Sequence, residues 1–260
     1  MKKILVTGAN GQLGRSLKEV AGKLQDQQLQ FVFMDREQLD ITRKELLETF
    51  FFSNRMDYCI NCAAYTHVDL AETEVEKAFS VNSDGPAYLA EECKAQDAVL
   101  IHVSTDYVFD GNSDQAYLPD DVPNPINVYG KSKLEGERRA ANQNPKTIIV
   151  RTSWLYSEYG KNFYTTMLSL MGERDELNVV DDQIGKPTDA RDLAKYICEI
   201  IASGDSDYGI RHFAGPQQMS WYEFAQKIAK ENGFKTKINP IPTSAYPTPA
   251  ARPMWSVLGD

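Results

Sequence analysis

The feature that most constrains the fold is a regular alternation of short apolar runs with longer helical patterns as far as Tyr156. The apolar runs read "KILVTG", "QFVFMD", "YCINCAA", "AVLIHVS" and "TIIVRTSW". The spacing of apolar residues predicts helices from residue 12 onward and near 42–52, 75–95 and 128–142. Strands that alternate with helices in this way form a parallel sheet with helices on both faces, so we predict a doubly wound α/β fold.

Beyond Tyr156 the alternation becomes looser. Helical patterns near 162–172, 189–203 and 220–232 are separated by "ELNVVDDQIGKPT" and followed by the proline-rich stretch "INPIPTSAYPTPAARPM". Five prolines between residues 240 and 253 exclude a regular helix or a central strand there, because proline fixes φ and lacks an N–H donor. We therefore predict a sheet domain at residues 1–158 and a smaller, irregular region at 159–260, with some of its segments returning to the sheet.

The composition excludes several classes of partner. With 260 residues, 42% of them hydrophobic, and a formal net charge of -9, the chain is an ordinary acidic globular protein. Nucleic acids and anionic membranes both need a basic surface, so neither is an expected partner. The first apolar run is too short for a signal peptide, and no stretch is long enough to cross a membrane. The four cysteines lie in or beside apolar runs, which predicts free thiols and a cytoplasmic protein.

The turn after the first strand, "TGANGQLG", has the spacing G-x-x-G-x-x-G. Glycine permits positive φ and a close approach of the backbone to a pyrophosphate, and the start of a helix offers N–H donors there. The alternative is a tight turn that binds nothing. Its position at the end of the first strand favours a Rossmann-like dinucleotide site. The residues predicted to bind the cofactor in this turn are Gly8, Gly11, Gln12, Leu13 and Gly14.

The ends of the second and third strands predict the rest of the cofactor site. Asp35 lies about 20 residues beyond the glycines, where an acidic residue can bond to the adenosine ribose. Arg36 beside it could instead pair with a 2′-phosphate, so the sequence leaves the choice between NADH and NADPH open. Ligands of open parallel sheets bind at the carboxyl ends of the strands. The other residues expected in this crevice are Asp40, Ile41, Ala63, Ala64, Tyr65 and Thr66.

Two further segments carry groups suited to acid–base chemistry. The fourth apolar run ends in "STDY", residues 104–107, and "NVYGKSKLEGE" places Tyr129 and Lys133 four residues apart, on one face of a helix. A phenol has a pKa of about 10, and a nearby ammonium group lowers it, so we expect Lys133 to lower the pKa of Tyr129. This spacing also recurs by chance on amphipathic helices. The order of glycine turn, Ser-Thr strand end and Tyr-x-x-x-Lys favours the catalytic interpretation.

Taken together, these motifs resemble the extended short-chain dehydrogenase/reductase family. The resemblance narrows to reductases of dTDP-4-keto-6-deoxy sugars through strings that span nearly the whole chain: "TGANGQLG", "NCAAYTHVDLAE", "STDYVFDG", "NVYGKSKLEGE", "RTSWLY", "DDQIGKPT" and "YPTPAARP". It implies an oxidoreductase in which the nicotinamide of NADPH or NADH supplies a hydride to C4 of the dTDP-sugar. Tyr129 would then protonate the C4 oxygen, and Thr105 would hydrogen-bond to the same oxygen.

The same resemblance assigns further residues to the two ligands. Lys133 would hold the nicotinamide ribose, and Val103 would lie against the cofactor. Asp106, Trp154 and Arg252 would contact the sugar nucleotide. For Trp154, a place in the core or at a subunit interface is an equally good interpretation, and Arg252 could simply be solvated.

Rival functions differ from reduction at identifiable residues. Sugar-nucleotide dehydratases carry an Asp-Glu couple after the threonine, whereas this chain reads Thr105-Asp106-Tyr107 and so favours reduction. An epimerase is a further alternative, supported by fold analogy alone. A non-catalytic alternative is a dinucleotide-binding subunit like the regulatory subunit of methionine adenosyltransferase. Some relatives form dimers bridged by magnesium through glutamates, but the matching segment here offers only Asp189 and Asp192. We therefore predict no metal, and a homodimer remains open.

Overall fold

The structure is a computed structural model that describes residues 1–24 and 28–259. In chain order its strands are β1 (Lys2–Thr7), β2 (Leu29–Met34), β3 (Tyr58–Asn61), β4 (Val99–Thr105), β5 (Thr147–Thr152), β6 (Leu155–Tyr156), β7 (Glu176–Val180), β8 (Ile184–Gly185), β9 (Thr188–Asp189), β10 (Gly209–His212), β11 (Met219–Ser220) and β12 (Lys237–Ile241). Its α-helices are α1 (Gln12–Lys23), α2 (Lys44–Ser53), α3 (Val68–Ala71), α4 (Val75–Phe79), α5 (Gly85–Ala95), α6 (Val128–Gln143), α7 (Phe163–Glu173), α8 (Ala190–Ser203) and α9 (Trp221–Glu231).

Within the described residues, one parallel sheet of six strands forms the centre of the molecule, in the order β10-β5-β4-β3-β1-β2. Successive side chains of β1 point to opposite faces: Ile4 and Val6 pack with α1 and α8, whereas Leu5 packs with α2 and α5. Because both faces are covered, the inner strands are largely apolar. The predicted doubly wound α/β fold is confirmed.

The helix predicted at 75–95 is not continuous. A π-helical turn, Ser80–Asp84, separates α4 from α5. The Asn82 side chain in this turn accepts the backbone N–H of Tyr65 and donates to the Tyr65 carbonyl and to the Ser132 hydroxyl. A Cβ at Gly136 of α6 would overlap the backbone carbonyl of Asn82, so the two helices are in direct backbone contact. The wider π-helical turn therefore lets the Asn82 side chain form these three hydrogen bonds. The spacing of apolar residues in the sequence gives no sign of such a turn.

Residues beyond 158 contribute to two different parts of the molecule. Helix α8 packs against the face that carries α1, and β10 extends the central sheet beside β5. The remainder forms a second apolar cluster, in which α7 and α9 cover the parallel pair β7 and β12. Pro240 lies in β12, a strand of a two-stranded pair rather than a central one. In the part of the chain that the structure describes, no helix is long and apolar enough to cross a membrane.

Candidate active site

The glycine turn has the geometry of a phosphate-binding turn. Gly8 has φ of +65°, and a Cβ there would lie 2.7 Å from the backbone nitrogen of Ala63. A Cβ at Gly14 would lie 2.5 Å from the carbonyl oxygen of Gly8, so α1 packs directly on the turn. Gly11 precedes α1 and offers no side chain to cap it. The first N–H groups of α1 are therefore free of side-chain acceptors and suited to an anion.

A cleft of about 370 Å³ lies beside this turn, at the carboxyl ends of β1, β2 and β3. The Asp35 carboxylate accepts hydrogen bonds from Asn10 at 2.8 Å and from the backbone of Glu37 and Gln38 at 3.0 Å. Arg36 is 73% exposed and pairs with Asp40. The predicted cofactor residues that line this cleft together are Gly8, Gly11, Asp35, Asp40, Ile41, Ala63, Ala64, Tyr65 and Thr66.

A second cavity, the catalytic cavity, continues the first cleft. It measures about 600 Å³ and shares Asn10, Gly11, Cys62, Ala64 and Thr66 with that cleft. The structure brings together here the predicted residues Gln12, Leu13, Val103, Thr105, Asp106, Tyr129, Lys133 and Trp154. Apart from Gly14, which packs against the turn, and Arg252, the residues expected to act on cofactor and substrate therefore surround one continuous groove along the sheet edge.

Close backbone packing places Tyr129 beside Thr105. Helix α6 starts at Val128, where the Asn127 side chain accepts the N–H of Gly130 at 2.7 Å. A Cβ at Gly130 would overlap the carbonyl oxygen of Tyr107. The Thr105 hydroxyl in turn accepts the N–H of Tyr107 at 3.2 Å. The first turn of α6 therefore lies directly against the strand end at 104–107.

The electrostatics differ from the expected pairing of Tyr129 with Lys133. Burial raises the pKa of Tyr129 to about 12, and the hydrogen bond from Thr105 opposes this only in part. Burial also lowers the pKa of Lys133 to about 8, while the charge of Glu137 acts to raise it. The Lys133 ammonium donates to the Val103 carbonyl at 2.7 Å. The expected lowering of the Tyr129 pKa by Lys133 is therefore not found in this structure, because burial is the largest influence and the charge of Asp106 also raises the pKa.

Asp106 is the second buried acid of the catalytic cavity, at 2% exposure. Its Oδ1 accepts the Thr105 hydroxyl at 3.0 Å, whereas Oδ2 has no hydrogen-bond partner among the described residues. Burial raises the pKa of this carboxyl to about 7, although nearby hydroxyl and N–H groups lower it in part. The neighbouring Tyr107 ring packs edge-on against Tyr129, with ring centroids 5.8 Å apart.

Trp154 and Arg252 have different surroundings. Trp154 lines the catalytic cavity with φ of +47°, and its indole stacks on Trp221 with ring centroids 3.4 Å apart. Arg252 lies outside that cavity and makes a bidentate ion pair with Asp69, at 2.8 Å on one side. It lines a third cavity, of about 770 Å³, which shares Tyr107, Phe163 and Trp221 with the catalytic cavity. We call this third space the side cavity.

The chain as a whole matches a known family. Residues 1–260 match the family described as the RmlD substrate binding domain. The dTDP-4-dehydrorhamnose reductase of Aggregatibacter actinomycetemcomitans is 45% identical over 99% of this chain and 90% of its own length. The chain belongs to the dTDP-4-dehydrorhamnose reductase family.

Solved structures of dTDP-4-dehydrorhamnose reductases agree with this membership. The Bacillus anthracis enzyme in complex with NADP is 40% identical, with a TM-score of 0.95 over 100% of this chain and 91% of its own. The Clostridium acetobutylicum enzyme is 41% identical, with a TM-score of 0.94 over 99% of this chain and 90% of its own. The family resemblance read from the motifs is confirmed.

Some residues of the groove in this dTDP-4-dehydrorhamnose reductase family member carry no signal in the sequence. Phe163 and Trp221 are the first residues of α7 and α9, and each lines both the catalytic and the side cavity. Arg174 lies just past α7 and adds a second arginine to the side cavity. These residues lie at the ends of two predicted helices, and their place in the groove depends on how those helices pack in the irregular region. Sequence reasoning alone therefore had no means to place them.

Proposed function

We propose that this chain catalyses the NAD(P)H-dependent reduction of the C4 ketone of dTDP-4-dehydrorhamnose to dTDP-L-rhamnose. The observation that carries the proposal is the meeting of Thr105, Tyr129 and Lys133 in one cavity that continues into the cleft of the glycine turn. Family membership supports the same reaction. In this role the chain serves nucleotide-sugar synthesis for cell-surface polysaccharides.

The groove fits a nicotinamide dinucleotide. The turn around Gly8 would hold the pyrophosphate, because its backbone already lies as close to Ala63 as only glycine allows. Asp35 and Arg36 lie where the adenosine ribose would bind. The exposed Arg36 side chain would pair with a 2′-phosphate, whereas the Asp35 carboxylate would accept hydrogen bonds from free ribose hydroxyls. The bound nicotinamide supplies the hydride. Lys133 is placed to hold its ribose.

Tyr129 is the proposed general acid. With its pKa raised to about 12, the phenol stays protonated near neutral pH and can donate its proton to the C4 oxygen. The Thr105 hydroxyl, which donates to Asp106 in this structure, would turn its proton to that oxygen as negative charge develops on it. The fully reduced sugar leaves as an alcohol, and solvent returns the proton to Tyr129.

The strand end favours reduction over elimination. A 4,6-dehydratase needs a second carboxylate or similar base to remove the C5 proton, and the position after Asp106 holds Tyr107 instead. Burial raises the pKa of the Tyr107 phenol, which keeps it protonated and unsuited to act as a base. We therefore assign ketone reduction to this groove.

The side cavity is proposed to receive the nucleotide part of the substrate. Arg252 and Arg174 line it, beside the acidic residues Asp69 and Glu176, and their guanidinium groups are suited to pair with a diphosphate. Arg252 is already oriented by Asp69, so it would contact a diphosphate oxygen with a fixed guanidinium plane. We also place the enzyme in the cytoplasm, in keeping with its four free thiols, and propose a homodimer.

Replacement of Tyr129 by Phe tests the proposed reaction. We expect turnover to fall by about 10²- to 10⁴-fold, the typical contribution of a positioned general acid, with the affinity for NADPH nearly unchanged. The assay mixes enzyme, NADPH or NADH and dTDP-4-dehydrorhamnose, follows the absorbance of the reduced cofactor and identifies the product by chromatography. Tyr88→Phe, on α5 behind the sheet, is the matched control. Near-normal turnover by Tyr129→Phe would falsify the assignment of the acid, and an inactive wild type would contradict the proposed reaction.

A further inference from the structure

Trp154 has both an unfavourable backbone conformation and an unfavourable stacking geometry of its ring. Its φ of +47° places a bulky aromatic residue in the left-handed region, where few residues other than glycine occur. Its ring lies 3.4 Å from that of Trp221 with an interplanar angle of 3°, a face-to-face sandwich rather than the offset arrangement that aromatic pairs prefer. Strain of this kind concentrates at functional sites, and Trp154 lines the catalytic cavity.

The opposite face of the Trp154 ring is also covered. A Cβ at Gly185 would overlap the indole atoms Cε2, Nε1 and Cζ2. The nearest of these atoms is Cε2, which is bonded to both Nε1 and Cζ2. A Cβ that approached in the plane of the ring would lie closer to Nε1 or Cζ2 than to Cε2. Gly185 therefore lies over the face of the ring and not at its edge. Trp154 is therefore held between Trp221 and the backbone of Gly185. What it offers the catalytic cavity is its ring edge.

Trp221 is itself firmly held. It is the first residue of α9, whose start is fixed by a capping box between Ser220 and Glu223. Its indole N–H donates to Gln183 at 3.2 Å, and its ring packs on Phe163 with centroids 4.5 Å apart. The same ring lines both the catalytic and the side cavity. Trp221 thus connects the position of Trp154 to the place where the two cavities meet.

We propose that Trp221 is a positioning residue for the sugar. It holds the Trp154 ring against Gly185 and so fixes the position of the Trp154 ring edge, which the hexose contacts beside Tyr129. The proposal rests on the function proposed above. It predicts that a face of Trp154 does not stack on the sugar, since both faces are covered. It also predicts that Trp221 affects the sugar nucleotide and not the dinucleotide, because Trp154 is assigned to the sugar nucleotide and Trp221 does not line the cleft of the glycine turn.

Kinetics of Trp221 variants test this role. We expect Trp221→Ala to raise the KM for dTDP-4-dehydrorhamnose about 10- to 100-fold while the KM for NADPH stays within about twofold, because the misplacement affects one ligand only. Trp221→Phe keeps an aromatic ring against Trp154 and should recover most of the loss. Trp255→Ala is the matched control, since Trp255 lines neither cavity and its N–H donates to Gln115. A wild-type KM in Trp221→Ala, or an equal rise for both ligands, overturns the proposal.

A second variant and a spectrum keep the test decisive if Trp221→Ala folds poorly. Gly185→Ala displaces the Trp154 ring from the other side and should raise the same KM with Trp221 intact. Stacked indoles couple in circular dichroism, so the wild-type couplet should be lost in Trp221→Phe and kept in Trp255→Phe. Calorimetry with dTDP-L-rhamnose gives affinities without turnover. A wild type that fails to reduce the sugar contradicts the proposed function, whereas unchanged dTDP-L-rhamnose affinity in Gly185→Ala contradicts the positioning role alone.

Discussion

At the scale of single residues, Asp106 is an acid of the catalytic cavity whose charge depends on its burial. Its carboxyl lies beside Thr105 and Tyr129 with almost no contact with water. Burial raises its pKa to about 7 from an ordinary value of 3.8, so the folded protein holds this proton where the unfolded chain has lost it. When Asp106 ionises, its charge raises the pKa of Tyr129. The protonation state of Asp106 therefore affects both the stability of the fold and the pKa of Tyr129, the proposed general acid.

The sign of the pH dependence follows from this difference. Between about pH 4 and pH 7 the folded state binds more protons than the unfolded state, so stability falls as the pH rises through this window. We expect Asp106→Asn to remove this loss, which amounts to at most about 4 kcal/mol. Urea unfolding of both proteins across the window measures it. Parallel curves for wild type and variant would contradict the buried, protonated state.

The residues of the site also show which of its features the sequence could predict and which it could not. Thr105, Tyr129 and Lys133 belong to short motifs at the end of a strand or the start of a helix, so their meeting follows from the parallel sheet alone. The pKa of Tyr129 could not be predicted, because it depends on how completely the folded chain excludes water. Trp221 could not be predicted either, since its stacking on Trp154, which also lies against Gly185, joins three distant segments.

At the scale of elements, glycines in α6 let the catalytic helix approach two backbones. Gly130 lies against the carbonyl of Tyr107, and Gly136 against that of Asn82. The sequence predicted the extent of α6 well, because its pattern is long and periodic. It missed the π turn at Asn82, because that turn exists to satisfy buried hydrogen bonds to Tyr65 and Ser132.

Alanine at Gly136 measures the closeness of this contact. We expect Gly136→Ala to destabilise the protein by about 1–3 kcal/mol, the usual cost of overpacking, because the new methyl group overlaps the Asn82 carbonyl. Gly172→Ala, in α7 with nothing within 4 Å of its Cβ position, is the matched control. There alanine should stabilise the helix by about 0.5–1 kcal/mol. Equal effects in denaturant unfolding at both positions would contradict the close approach of α6.

At the scale of the whole molecule, the predicted boundary at residue 158 does not divide the core. Strand β10 is the neighbour of β5, and α8 packs with α1 on one face of the sheet. A buried ion pair between Arg151 and Glu137, at 1% and 3% exposure, ties the sheet to α6 on the other face. The sequence predicted that segments would return to the sheet, but the identity of β10 depends on a partner strand far away in the chain. The groove is therefore built on a core that both halves share.

A substitution in α8 tests whether that shared core unfolds as one unit. Ile197 is fully buried in the cluster that joins α8 to the sheet. We expect Ile197→Ala to destabilise the protein by about 2–5 kcal/mol, since it leaves a cavity in this cluster. Far-UV circular dichroism and tryptophan fluorescence should shift together in urea, because Trp221 and Trp255 lie after residue 158 whereas most of the sheet lies before it. Ile126→Ala, at a residue 38% exposed, should shift neither by much. Two separate transitions in Ile197→Ala would instead mean that the region after residue 158 unfolds independently of the sheet.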